Sequence, residues 1–241
     1  MTIRLLTRLA WLFILLAHRP VTALATAAED AVPLRGRLSI PCDGRLCAGE
    51  ARPYRSWASA AGLHVAVDAD GRMLSSTDGL DWMERPTGIV FSLHSVTFAR
   101  GVFVVVGNEG AILTSSDAIH WTARDSNTDD RLRGIAWGNG RFVAVGHGGT
   151  IVSSEDALRW RRHRSPIEDR LCSVVFGNGR FVAVGYRGQI LTSTTGTHWK
   201  KAKSDLSDNL RKVVFQDGIF HINGVGSIAL TSVEGLVWKQ Q

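Results

Sequence analysis

The 241-residue chain holds 44% hydrophobic residues, 25 glycines and 8 tryptophans, a composition of many short strands and tight turns that excludes a disordered chain and a helical bundle. Its 28 lysines and arginines against 22 acids give a net charge of +6. Arg4, Arg8 and Arg19 belong to a leader whose removal lowers that to about +3, so the basicity is overstated, and a nucleic-acid role would conflict with export.

The leader comes first in chain order. Arg4 and Arg8 precede an apolar run over residues 9–17, followed by Ala23, Ala25 and Ala27 in an A-x-A arrangement. This predicts a secretory signal over residues 1–27, cleaved after Ala25 or Ala27, and an exported protein, periplasmic or extracellular. The apolar run falls short of the roughly 20 residues of a spanning helix, so no transmembrane span is expected after cleavage. Residues 28–53 form an N-terminal segment in which Cys42 and Cys47 have the spacing to close a small disulfide loop, with Cys172 left over.

Residues 54–241 are dominated by a repeat. Trp82, Trp121, Trp160, Trp199 and Trp238 recur every 39 residues without an insertion. Phe103, Phe142, Phe181 and Phe220 form a second column, Phe98, Trp137, Phe176 and Phe215 a third, and Gly107, Gly146, Gly185 and Gly224 a fourth. The units are 54–92, 93–131, 132–170, 171–209 and 210–241. In the fourth unit, residues 171–176 and 180–185 read as β-branched and aromatic strands around a Gly-Asn-Gly turn. Residues 189–193 read as a third strand, and the basic run 200–203 as the start of an outer fourth. Glycine interrupts every window long enough for a helix. Four antiparallel strands in about 40 residues match a propeller blade, which buries both faces only when neighbours stack on it.

The expected fold is therefore all-β: a β-propeller of four-stranded blades, five in number. The last unit stops three residues after Trp238 and reads as lacking its outer strand. Residues 34–40 (LRGRLSI) alternate apolar with polar and would pair there, closing the ring and covering an exposed edge. An incomplete ring, completed by dimerisation or by a partner, is the alternative.

The run GNGRFVAVGHGGTIVSSEDALRW and its copies resemble the repeats of exported propellers grouped with photosystem II assembly and stability factors, and the Asp-box (sialidase-type) repeats. The likeness spans residues 54–241. The Asp-box resemblance implies that Asp78, Asp117, Asp156 and Glu234, four positions before each Trp, tie down a hairpin turn and are structural. Thr195 replaces the acid in the fourth unit, and Ala118 and Ala157 stand where the other units have glycine. These departures make the repeats Asp-box-like rather than standard.

A sialidase-like hydrolase would need a Tyr nucleophile, its acid partner and an arginine cluster. The chain has 2 tyrosines, no Phe-Arg-Ile-Pro motif and no catalytic insertion, so no catalytic residue is assigned. No spacing resembles a metal motif and no cofactor is expected. What varies between units is the turn after the second strand and the lead into the first, which open on one face. There stand His94, Arg131, Arg133, His147, Arg170, Tyr186, Arg187 and Arg211, suited to charge-assisted contacts with a protein. The photosystem-factor resemblance likewise implies an Arg-lined protein-binding face. Solvated loop residues near Asp129, Asp130, Glu168 and Asp169 are the plainer reading. The outer run of Arg161, Arg162, His163 and Arg164 with Lys200, Lys201 and Lys203 is a second basic patch that an anionic lipid surface would also suit. Glycan binding, drawing on Tyr186 and Trp57, is the remaining alternative. The chain thus reads as a non-catalytic scaffold or assembly factor for an envelope or secreted partner.

Overall fold

A computed structural model describes residues 41–42, 45–46, 54–68, 70–204 and 206–240. The signal segment, the closing strand at 34–40 and Cys47 lie outside the described residues, and so does the Cys42 side chain and with it the disulfide. Pro41–Cys42 and Arg45–Leu46 pair antiparallel. The rest of the description is five four-stranded antiparallel sheets and one short 3-10 turn at His147–Gly149. Among the described residues no helix is long and apolar enough to cross a membrane.

Each sheet is one repeat unit, a propeller blade. The inner strands are Tyr54–Ala60, Leu93–Ala99, Leu132–Gly138, Leu171–Gly177 and Leu210–Gln216, and those of consecutive blades pack side by side from first to fifth. Blade 4 continues through Arg180–Gly185 and Ile190–Ser193 to an outer strand at Lys200–Lys201. One sequence expectation is corrected. The last unit does have an outer strand, Lys239–Gln240, paired with Leu230 and Thr231. Two residues suffice because the other outer strands are themselves only two or three residues long.

Alternation along the second strand of each blade builds the core. Phe142 and Ala144 face back onto Val104, Val106 and Ile112 of the preceding blade. Val143, Val145 and Ile151 face forward onto Phe181 and Ala183, and Val182, Val184 and Ile190 onto Phe220 and Ile222. Val65, Val67 and Met73 meet Phe103 and Val105 in the same way. All four of these phenylalanines are fully buried, each contributing on the order of 1.5–3 kcal/mol by leaving water.

The series changes at both ends. In blade 5 the forward-facing positions are His221, Asn223 and Ala229, partly or fully exposed, where the other blades carry Val, Val and Ile or Met. A polar outer face is the device by which stacked-repeat proteins end a hydrophobic series. In blade 1, His64 occupies the phenylalanine position and bonds Ser59 Oγ at 2.6 Å.

The turn before each outer strand is tied by side chains. Asp156 Oδ1 accepts from Leu158 N and Arg159 N, each at 2.9 Å, and Ser154 Oγ donates to it at 2.9 Å. Asp78 and Asp117 do the same, and Thr195 Oγ1 does so more loosely, at 3.3 Å to Thr197 N and His198 N. In blade 5 Ser232 Oγ holds Gly235 N at 2.8 Å, and among the described residues the Glu234 carboxylate makes no hydrogen bond to the turn. His120 and His198 sit in these turns, their backbone N–H groups bonded to Asp117 and Thr195. Trp160 Nε1 donates to Ala157 O at 3.3 Å, closing the turn from above.

Candidate binding site

Antiparallel order places the turn after each second strand, and the start of each inner strand, at the same end of the propeller. Hydrogen bonds join them directly. Asn108 N donates to Ser92 O, His147 N to Arg131 O and Tyr186 N to Arg170 O, at 2.9, 3.0 and 2.9 Å. Glycine makes this approach feasible. A Cβ on Gly107 would lie 2.6 Å from Ser92 O, and one on Gly146 or Gly185 would come closer still to Arg131 O or Arg170 O.

Immediately after its first residue every inner strand is irregular. The register skips one residue in each blade: between Tyr54 and Ser56, Leu93 and Ser95, Leu132 and Gly134, Leu171 and Ser173, and Leu210 and Lys212. The skipped residues are Arg55, His94, Arg133, Cys172 and Arg211, one column at the repeat spacing. A β-bulge frees its extra residue from the ladder and re-aims its side chain. The propeller thus presents three arginines, a histidine and a thiol from five adjacent inner strands.

These groups feel one another. Arg55 Nη1 donates to His94 Nδ1 at 2.8 Å, so the neutral ring carries its proton on Nε2, which donates to Asn108 Oδ1 at 2.6 Å. Burial, then the charges of Arg133, Arg55 and Arg131, pushes the His94 pKa down to about 4, although the Asn108 bond opposes this. Burial and then Arg170, Arg131 and Arg133 hold His147 at about 4 as well. For Arg133 the pKa is lowered by burial and by Arg55, Arg170 and Arg131, with Cys172 acting the other way. Burial raises the Cys172 thiol against the pull of Arg133, Arg170 and Arg211. The electrostatic centre therefore spans all five blades and is positive.

The acids that precede these arginines in sequence turn away from them. Asp130 bonds Thr150 and Thr128 and pairs with Arg162 at 3.0 Å. Asp169 accepts from Gln189 Nε2 at 3.1 Å and pairs with Arg187 at 3.3 Å. Among the described residues no ion pair neutralises Arg131, Arg133, Arg170 or Arg211. Their charge is thus offered outward.

Of the residues singled out in the sequence, His94, Arg133 and Arg211 lie in the bulge column. Arg131, Arg170 and His147 lie beside it within electrostatic reach. Tyr186 is held by Arg170, whose guanidinium stacks 4.5 Å over the ring and donates to its hydroxyl at 2.8 Å. Arg187 is directed to Asp169 and does not join the centre. Arg55 and Cys172 complete the column, one repeat before His94 and two repeats after it. Trp57 packs in blade 1 with Ala66, Leu74 and Trp82, while Tyr186 stands in blade 4. In the second basic patch Arg162 is paired with Asp130, His163 with Ser153, and Lys200 and Lys201 are exposed.

Solved structures share this architecture. YCF48 bound to D1 peptide is 20% identical with a TM-score of 0.61, over 80% of this chain and 68% of that one. YCF48 from Cyanidioschyzon merolae is 16% identical with a TM-score of 0.57, over 78% of this chain and 72% of that one. A chain of a nidogen/laminin complex is 10% identical with a TM-score of 0.61, covering 79% of each. The fold is a β-propeller. No protein-family model and no curated protein sequence matches the chain.

Proposed function

We propose that the protein is an exported, non-catalytic propeller that captures an acidic segment of a partner protein at its positive centre and serves as a scaffold or assembly factor. The observation that carries this reading is the bulge column. Arg55, Arg133 and Arg211 project from one register position, and among the described residues Arg131, Arg133, Arg170 and Arg211 have no ion pair. Guanidinium groups fixed in this way form bidentate, charge-assisted bonds to carboxylates. The partly desolvated setting strengthens such bonds relative to water. One similar propeller, YCF48, has been solved with a peptide bound, which supports protein as the class of partner.

The test is affinity capture by the mature chain from its native envelope fraction, beside an Arg133→Ala, Arg170→Ala, Arg211→Ala variant. The reading expects a protein retained by the unaltered chain, released by salt and lost with the variant. The same proteins retained by both would move the site elsewhere.

A further inference from the structure

Four connections lead from the outer strand of one blade to the inner strand of the next, and the first differs from the others at its tip. Three of them end on Asp129–Asp130, Glu168–Asp169 and Ser207–Asp208, whereas the first carries Val90 and Phe91 at the same positions. In three of the four connections the residue before the tip is apolar, and Ile89, Ile167 and Leu206 pack against the blade cores, while Thr128 stands there in the second and bonds Asp130. The first connection thus keeps the apolar anchor of the third and fourth, while its tip is apolar where theirs is acidic. Val90 is 94% exposed and Phe91 44% exposed. Apolar side chains of this size, adjacent and uncovered, mark contact surfaces.

The location adds to the chemistry. Phe91 stands three residues before His94, so their Cα atoms lie within about 11 Å. Ser92 between them is bonded through its carbonyl to Asn108, and Asn108 also accepts from His94. The apolar tip therefore borders the positive centre on the side where His94 holds Arg55. On the other sides the tips are acidic and would repel an acidic chain.

We propose that Val90 and Phe91 are the apolar half of the partner-binding surface. Its occupant is an extended protein segment carrying a carboxylate side chain with a large apolar side chain a few residues away. The carboxylate meets Arg133, Arg170 and Arg211, and the apolar group covers Val90 and Phe91. This inference rests on the reading of the positive centre as a protein-binding site, and adds to it the direction of approach and the second specificity element.

The probes are two fluorescein-labelled peptides, each with two aspartates and a glycine-serine spacer, one ending in phenylalanine and the other in serine. Fluorescence anisotropy measures each against the unaltered protein and against a Val90→Ser, Phe91→Asn variant. Both replacements are close to side chains found in the other connections, and the thermal midpoint checks that the variant folds. The expected result is about tenfold tighter binding of the phenylalanine peptide to the unaltered protein, and equal binding of the two peptides to the variant. Equal binding of both peptides to the unaltered protein overturns the inference and leaves the positive centre as the binding site. A preference that survives in the variant overturns it as well. Binding of neither peptide overturns this inference together with the reading on which it rests.

Discussion

Replacing the glycine that ends the second strand of blades 2 to 5 should destabilise those blades in a graded order set by one distance. At Gly185 and Gly146 an added Cβ overlaps the carbonyl oxygen of Arg170 or Arg131, at Gly107 it lies 2.6 Å from Ser92 O, and at Gly224 it lies 3.0 Å from Asn209 O. Gly185→Ala must push the Arg170 strand away and stretch the 2.9 Å bond from Tyr186 N. One lost hydrogen bond costs about 1 kcal/mol, and overpacking at a rigid backbone contact about 1–3 kcal/mol. A total of about 2–4 kcal/mol corresponds, for a domain of this size, to a fall in Tm of roughly 4–16 °C. Gly224→Ala, where the neighbours need only shift slightly, should lose about 1 kcal/mol or less. Thermal unfolding followed by circular dichroism ranks the four variants, and guanidinium titration gives the free energies. Equal losses across the series, or a Gly185→Ala variant as stable as Gly224→Ala, would refute the close-approach explanation.

Other consequences follow from the same structure. Ala118 and Ala157 hold φ of +60° and +62° where the other blades place glycine, so Ala157→Gly should relieve left-handed strain and raise stability by about 0.5–1 kcal/mol in a denaturant titration. Replacing His221 and Asn223 with valine would extend the apolar series of the other blades onto an exposed face, and sedimentation velocity should then show more self-association than for the unaltered protein. Backbone donors from Asp81 and Leu80, followed by Ser76, hold the Asp78 pKa down at about 2. Its contribution is complete above the unfolded value near 4 and is lost as pH falls towards 2, so Asp78→Asn should flatten the acid limb of a stability profile in that window. His94 should stay neutral with Nε2 protonated down to about pH 5, titrating near 4 by nitrogen-detected NMR; a midpoint above 6 would contradict its burial among arginines.

The fold was legible because the repeat was unbroken. The tryptophan, phenylalanine and glycine columns each have a recurring physical role: turn closure by Trp82, Trp160 and Trp199, inter-blade burial of the phenylalanines of blades 2 to 5, and close backbone approach at the glycines of those same blades. The outer strand of blade 5 was misread because two residues seemed too few, yet pairing there needs only Leu230 and Thr231 opposite. The site was legible in part. Turn and strand start were placed on one face from antiparallel order alone, and Arg133, Arg170 and Arg211 were found there. Arg55 and the common origin of the column were missed, because a bulge is a register event between two strands and leaves no periodic mark within one. Arg187 looked equivalent to its neighbours in sequence, but its direction depends on Asp169, a contact no spacing reveals. The apolar tip at Val90 and Phe91 was present in the alignment of units and gained meaning only when its exposure was known.

The most direct test of the positive centre is to titrate the aspartate-containing peptide onto protein with nitrogen-labelled arginine side chains, and to follow each guanidinium by NMR. The account predicts shifts at Arg55, Arg133, Arg170 and Arg211 that diminish with added salt, with Arg100, Arg141 and Arg180 at the opposite end of the blades unchanged. Shifts confined to that opposite end, or none at any arginine, would contradict it.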